Sequence, residues 1–304
     1  MIKDIELKFL ILTLFFLSIL GTLIQSFYTY DGFHWGLIAN SSIEILKGKI
    51  PYKEVFIHYG FFFTLTNALI LKIFDFNIIH LMNFAGIFLA SGNLILIYLI
   101  KKFINNDYAA LGALIIFLCH PFANYPTYNY FFFFLINCFF FFLTQDKKYS
   151  FFFAGFFLAL STLTYENFLF ISFAILFLIL LLYRRKFILI LLGYLIPVIL
   201  FQIYLFFNEL TDSWFDVLNL NKVFMQYLNL NFFTLIKNYI IIFTESSFKN
   251  LFSETYYLFF LILGISNVFF IILYRNKFKN NENIKFLFFL SIYSILFYSF
   301  TFHK

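Results

Sequence analysis

Charge is scarce in this chain. Only 12% of its 304 residues are Asp, Glu, Lys or Arg, against roughly a quarter in an ordinary soluble domain. Half that density leaves too little polar surface to cover a water-soluble fold of this size. A soluble enzyme and a disordered chain are therefore excluded. Cysteine is scarcer still. Cys119 and Cys138 are the only two, both inside apolar runs, which excludes a disulfide scaffold and reads as two small core residues. Of four prolines, Pro197 alone interrupts the middle of a long apolar run. There is no Gly-x-Gly-x-x-Gly, no phosphate loop and no Gly-x-Ser-x-Gly, and no internal repeat is visible.

What fills the space is hydrophobic. Apolar types make up 63% of the chain, aromatics 26%, and phenylalanine alone 55 positions. Phe, Ile, Asn, Lys and Tyr share AT-rich codons, so Phe stands in places where Leu would serve. The runs Phe131 to Phe134 and Phe139 to Phe142 are accordingly read as lipid-facing or packed helix surface, not as a stacking platform. The expected fold class is all-α, a polytopic transmembrane bundle of about nine spans in a single domain. A spanning helix needs about 20 apolar residues. The candidates are Phe9–Phe27, Ile78–Ile100, Tyr108–Phe122, Thr127–Leu143, Tyr149–Thr164, Phe168–Tyr183, Phe187–Phe207, Thr255–Tyr274 and Ile284–Phe302. The first has Lys3 and Lys8 ahead of it and no small-residue cleavage site behind it, so it reads as an anchor.

The positive charges orient the spans. Lys101-Lys102, Lys147-Lys148, Arg184-Arg185-Lys186 and Arg275 with Lys277 and Lys279 follow alternate spans. Cytoplasmic loops carry the Lys/Arg excess. All four clusters and the N-terminus fall inside together if Phe61–Phe74 does not cross. At about 14 residues that segment reaches only ~21 Å, short of a ~30 Å hydrocarbon core, and it carries Thr64, Thr66, Asn67 and Lys72. It is expected to lie on the outer face. The outside then receives a first long loop, 28–75, turns at His120–Asn129 and Tyr165–Asn167, and a second long loop, 208–254. The net charge of +6 belongs to inside loops, and no nucleic-acid partner is expected.

The first outer loop is the richest segment. It holds Asp31-Gly32 and His34, then an apolar stretch to Leu46 that reads as a short helix ended by Gly48. Pro51 is expected to start an extended piece, Pro51-Tyr52-Lys53-Glu54-Val55-Phe56-Ile57-His58-Tyr59-Gly60. An acid at the end of the first span, a helix ending in Gly, and a Pro-Tyr-x-acid-x-Phe-x-x-Tyr stretch occur here in order. Pro126-Thr127-Tyr128-Asn129, Leu163-Thr164-Tyr165-Glu166-Asn167 and Tyr204-Leu205-Phe206-Phe207-Asn208 follow.

In these features the chain resembles membrane glycosyltransferases of the GT-C superfamily, in particular the protein-mannosyltransferase-like group (glycosyltransferase family 39 type). The resemblance covers roughly 28 to 217. It departs from the group's pattern at Gly32, where many members have a second acid, and at Asn129, where many have Asp. The resemblance implies transfer of a sugar from a polyprenyl-phosphate donor to a lipid, glycan or protein acceptor at the outer face. Such a reaction needs a base for the acceptor hydroxyl and a group that stabilises the departing phosphate. Asp31 is the candidate base, because partial desolvation near a membrane surface raises a carboxylate's pKa. As a plain sequence feature, Asp-Gly is a turn.

Glu54 is the second candidate catalytic carboxylate, with a solvated loop charge as its other reading. His34, Lys53, His58, Tyr59, Asn129 and Glu166 are candidate substrate contacts. Lys53 is placed to meet a donor phosphate and Glu166 to line the donor groove. Asp31-x-x-His34 and Glu54-x-x-x-His58 have helix-like spacing for metal ligands, but nothing in the sequence fixes one pair against the other, and no metal or other cofactor is assigned. The expected partners are the bilayer and the lipid-linked donor. The expected place is a bacterial cytoplasmic membrane, crossed many times with the N-terminus inside. A multi-pass transporter or flippase is a second reading, and a non-catalytic truncated relative a third. Charges concentrated at span ends favour a surface site over the mid-membrane site a transporter needs.

Overall fold

Backbone N–H and C=O groups away from water must be paired inside the chain, and this chain pairs them in helices. The computed structural model describes residues 3–28, 32–57, 59–103, 106–118, 128–145, 147–166, 168–184 and 186–217. The expected spans Thr255–Tyr274 and Ile284–Phe302 and most of the 208–254 loop lie outside these. Among the described residues the fold is all-α, with no strand beyond one isolated bridge between Pro51 and Val55.

In chain order the helices are α1 (Asp4–Gln25), α2 (Gly32–Leu46), α3 (Phe61–Ile73), α4 (Ile78–Phe103), α5 (Asn106–Leu118), α6 (Tyr128–Leu143), α7 (Lys148–Thr164), α8 (Phe168–Leu182) and α9 (Phe187–Phe207). Three of them, α1, α4 and α9, are long and apolar enough to cross a membrane. Their 22, 26 and 21 residues give lengths of about 30–40 Å at 1.5 Å per residue. Large apolar side chains of α1 (Ile5, Phe9, Phe16, Leu20) and α9 (Ile188, Leu200, Phe206, Phe207) are more than half exposed. That surface is costly against water and costs nothing against lipid tails. The shorter apolar helices include α3, α7 and most of α6 and α8.

The helices divide into two units. One comprises residues through Leu169 together with 185–210; the described part of the other is 170–184 and 211–217. In the first unit α4 packs against α1, α5 and α6, α6 against α7, α7 against α9, and α3 against α2, α4 and α7. Glycine permits the close crossings. A Cβ on Gly86 of α4 would stand 1.9 Å from the Thr22 side chain of α1, and one on Gly155 of α7 would stand 1.8 Å from the Ile190 carbonyl of α9. Trp35 and Ile38 of α2, Phe63 and Leu71 of α3, Leu81 of α4 and Phe131 of α6 form one apolar core. The phenylalanine runs of α6 are largely packed surface: Phe131, Phe132, Phe139 and Phe140 are buried. In the second unit, the α8 residues Ile171, Ile175 and Ile179 are buried at a four-residue spacing, one face of a helix.

The polar contacts sort the helix ends of the first unit. Asp4 at the start of α1 is 3.2 Å from the Lys101 ammonium at the end of α4 and accepts from Asn106 of α5 at 2.6 Å. Lys102 reaches the Thr144 carbonyl just past α6. Lys186 ahead of α9 lies 4.4 Å over the Phe151 ring in the first turn of α7. Lys101, Lys102 and Lys186 therefore gather where α1, α5, α7 and α9 begin and where α4 and α6 end. The loop between α2 and α3 docks on the opposite ends of α7 and α9.

Candidate functional site

Ile50 to Gly60 forms a tight turn followed by a short return to α3. The sequence expectation of an extended piece from Pro51 is corrected here. The Ile50 carbonyl accepts the N–H groups of Lys53, Glu54 and Val55 at 3.2, 2.9 and 3.3 Å, and Tyr52 N–H donates to the Val55 carbonyl at 2.9 Å. Two local causes fold the segment back. The Glu54 carboxylate accepts the Ile50 N–H at 2.8 Å, a side-chain cap on a turn that an extended chain could not offer. Tyr52 adopts a left-handed backbone with φ 68°, rare for a residue with a Cβ.

The Tyr52 ring repays this conformation by its burial. It stacks on Phe61 at 6.1 Å and meets Phe201 of α9 edge-on at 6.2 Å. Its hydroxyl donates to Oε1 of Glu166, which lies just past the end of α7 and is itself buried. Burial, then the negative charge of Glu166 and the hydrogen bond to it, raise the Tyr52 phenol well above its ordinary pKa. The phenol therefore keeps its proton and remains a donor. From α9, the Tyr204 hydroxyl donates to the Pro51 carbonyl at 3.1 Å. At the return, Ser41 of α2 donates to the Phe56 carbonyl at 3.2 Å. Gly60 lies so close to α7 that a Cβ there would be 2.3 Å from the Thr164 carbonyl. Segments more than a hundred residues apart thus meet at one end of the first unit.

The sequence-derived candidates fall differently around this junction. Glu166 is at its centre. Lys53 and Glu54 are exposed on the turn, and the Glu54 carboxylate is engaged by the Ile50 amide. Tyr59 is half-buried and packs edge-on against Phe63 at 6.2 Å, on the core of α2 and α3. Asn129 is exposed in the first turn of α6. Asp31 and His58 lie outside the described residues, as does the side chain of His34, whose backbone belongs to α2. Among the described residues no group of three His, Cys, Asp or Glu gathers that could hold a metal ion. Tyr52 and Tyr204 were not singled out as site residues by the sequence. The signal available was a phenol in an apolar setting, which needs a partner for its hydroxyl once buried.

The Gly48 turn ahead of this loop carries its own charge cluster. Glu44 in the last turn of α2 accepts from Lys47 at 2.8 Å and also from Lys49. These two bonds hold its carboxyl well below the ordinary range, at about 2. A depressed carboxylate contributes stability above its unfolded pKa of about 4.3 and loses it as pH falls. The end of α2 is therefore expected to loosen progressively below about pH 4. Side-chain NMR should find Glu44 titrating near 2, and Lys47→Met with Lys49→Met should return it towards 4.

Compared with models of protein families, with curated proteins and with solved structures, the chain finds no match.

Proposed function

We propose that this chain is a multi-pass membrane glycosyltransferase that moves a sugar from a polyprenyl-phosphate donor to an acceptor hydroxyl at the outer membrane surface. One observation carries the reading. Three pieces of the GT-C resemblance, Pro51–Gly60, Leu163–Glu166 and Tyr204, converge at one end of the first unit through the Tyr52–Glu166 and Tyr204–Pro51 bonds. Lys101, Lys102 and Lys186 collect at the other end, while Lys47, Lys49 and Lys53 lie on or just ahead of the junction turn. We take the end with Lys101, Lys102 and Lys186 as cytoplasmic, in keeping with the positive-inside rule, with the N-terminus inside and the junction outside. The nine-span count and the surface position of α2 and α3 belong to this proposal. So does a bacterial cytoplasmic membrane.

In the proposed step Asp31, the residue before α2, takes the proton of the acceptor hydroxyl. The acceptor oxygen then attacks the anomeric carbon of the donor sugar. The bond from that carbon to the phosphate oxygen breaks, and polyprenyl phosphate leaves with the electron pair. Lys53, exposed on the turn, offers a cation to the leaving phosphate. Placing charge at the membrane surface avoids the ~2.5–3.5 kcal/mol that insertion scales give for a charge at mid-span.

Membranes carrying the chain, supplied with polyprenyl-phosphate hexose labelled on the sugar, should move label out of the lipid donor pool. Asp31→Asn should slow that movement by about 10²-fold or more, the contribution of a positioned base, with elution and melting of the purified variant unchanged. Transfer at the wild-type rate would remove Asp31 as the base.

A further inference from the structure

The Tyr52–Glu166 bond is more than burial requires. A phenylalanine ring at 52 would pack between Phe61 and Phe201 without bringing a hydroxyl and a carboxylate into the interior. Buried polar groups are tolerated when paired, and what a pair adds over an apolar contact is direction. This pair joins a turn whose backbone at Tyr52 is left-handed to the residue just past α7. Tyr204 holds the neighbouring Pro51 carbonyl from α9. Two adjacent residues of the turn are thus tied to two different helices, which prevents the turn from pivoting about either tie.

The charges on the turn and ahead of it point to what is being held. Glu54 is occupied by the Ile50 amide. Lys47 and Lys49 share Glu44. Lys53 takes part in none of the ion pairs among the described residues and stands exposed, one residue from Tyr52.

We propose that Tyr52 and Glu166 are positioning residues. Their hydrogen bond straps the Ile50–Val55 turn to the end of α7 and so fixes where Lys53 meets the phosphate of the lipid-linked donor. The role of Lys53 rests on the transferase reading; the strap does not.

The test uses the full chain in lipid nanodiscs and reads amide hydrogen exchange at Lys53, Glu54 and Val55, whose N–H groups bond to Ile50. Loss of one buried hydrogen bond in Tyr52→Phe should speed their exchange by about tenfold. Glu166→Ala should do the same. Glu166→Gln, whose amide carbonyl still accepts from the phenol, should stay within about twofold of wild type. Unchanged protection in α7 and α9 shows that the fold persists, and Tyr52→Phe carries the test alone if Glu166→Ala does not fold. Wild-type exchange in Tyr52→Phe would overturn the strap, as would Glu166→Gln behaving like Glu166→Ala.

Transfer kinetics separate the second half. Tyr52→Phe and Lys53→Met should both lower kcat with a smaller effect on the donor KM, because the charge Lys53 meets grows on the leaving phosphate, and the double variant should be no worse than Lys53→Met alone. Fully additive effects would overturn the link to Lys53. Absence of transfer in the wild type would overturn the transferase reading and the role of Lys53, leaving the strap to stand or fall on exchange.

Discussion

Alanine at Gly155 or Gly193 is expected to open the α7–α9 crossing and to lower the melting temperature of the protein by several degrees. The two glycines face each other's helix reciprocally. A Cβ on Gly155 would stand 1.8 Å from the Ile190 carbonyl oxygen and 2.9 Å from the Tyr194 nitrogen. A Cβ on Gly193 would stand 1.9 Å from the Phe152 carbonyl oxygen and 3.0 Å from the Phe156 nitrogen. The obstructing atoms are backbone, so no rotamer change relieves the overlap and the helices must move apart.

Overpacking costs about 1–3 kcal/mol and sometimes more, and a backbone-to-backbone collision belongs at the upper end. In lipid the loss is felt fully, because close approach through small residues is itself a source of helix association. The double variant should cost little more than either single one, since the first methyl already opens the crossing. Gly21→Ala and Gly36→Ala are the controls. Both positions are helical with no atom within 4 Å of the added carbon, so alanine should be neutral or stabilise by up to about 1 kcal/mol through helix propensity. Thermal unfolding in detergent micelles reads all four. Equal melting of Gly155→Ala and Gly21→Ala would contradict the crossing. The consequence reaches the site, because α7 leads to Glu166 and α9 carries Tyr204.

Composition and hydrophobic run length were enough to read the helices of the described residues, because a charge-poor sequence has few other ways to satisfy its backbone. Gly48 as the stop after α2 was legible too: its φ of 90° is the conformation that a glycine past a helix end supplies. The turn at Pro51 was not legible. Proline favours an extended neighbour, and what overrides it is a carboxylate three residues on that bonds the Ile50 amide, together with a tyrosine at positive φ. The second effect is long-range. Tyr52 holds that backbone because its ring and hydroxyl are gripped by Phe61, Phe201 and Glu166, and no local pattern announces a partner 114 residues away. Glu166 was legible as a carboxylate between two apolar runs, but its role depends on that same partner. The reciprocal glycines were invisible for a related reason. Which small residue meets which helix is decided by the crossing and not by the spacing within either segment.

Gly60→Ala should disable the junction while leaving the α7–α9 crossing in place. Gly60 has φ 116° and ψ 148°, a region essentially reserved for glycine and worth about 1–3 kcal/mol of strain for any other residue. The added methyl would also lie 2.3 Å from the Thr164 carbonyl oxygen and 3.0 Å from that of Leu163. The backbone at 60 must therefore leave both its conformation and its seat on α7. The Gly60 carbonyl caps α3, accepting the Thr64 N–H at 3.1 Å and the Thr64 hydroxyl at 2.9 Å, so the start of α3 moves with it. Phe61, the next residue, stacks on Tyr52, and its displacement loosens the strap. Gly48→Ala isolates the strain alone, because its φ is also positive but no atom lies within 4 Å. That variant should lose about 1 kcal/mol and keep the protection of the Lys53, Glu54 and Val55 amides. Gly60→Ala should lose that protection, and with it transfer, while α9 amides stay protected. If the two variants behave alike in exchange, the approach of the loop to the Thr164 carbonyl is not what holds the junction together.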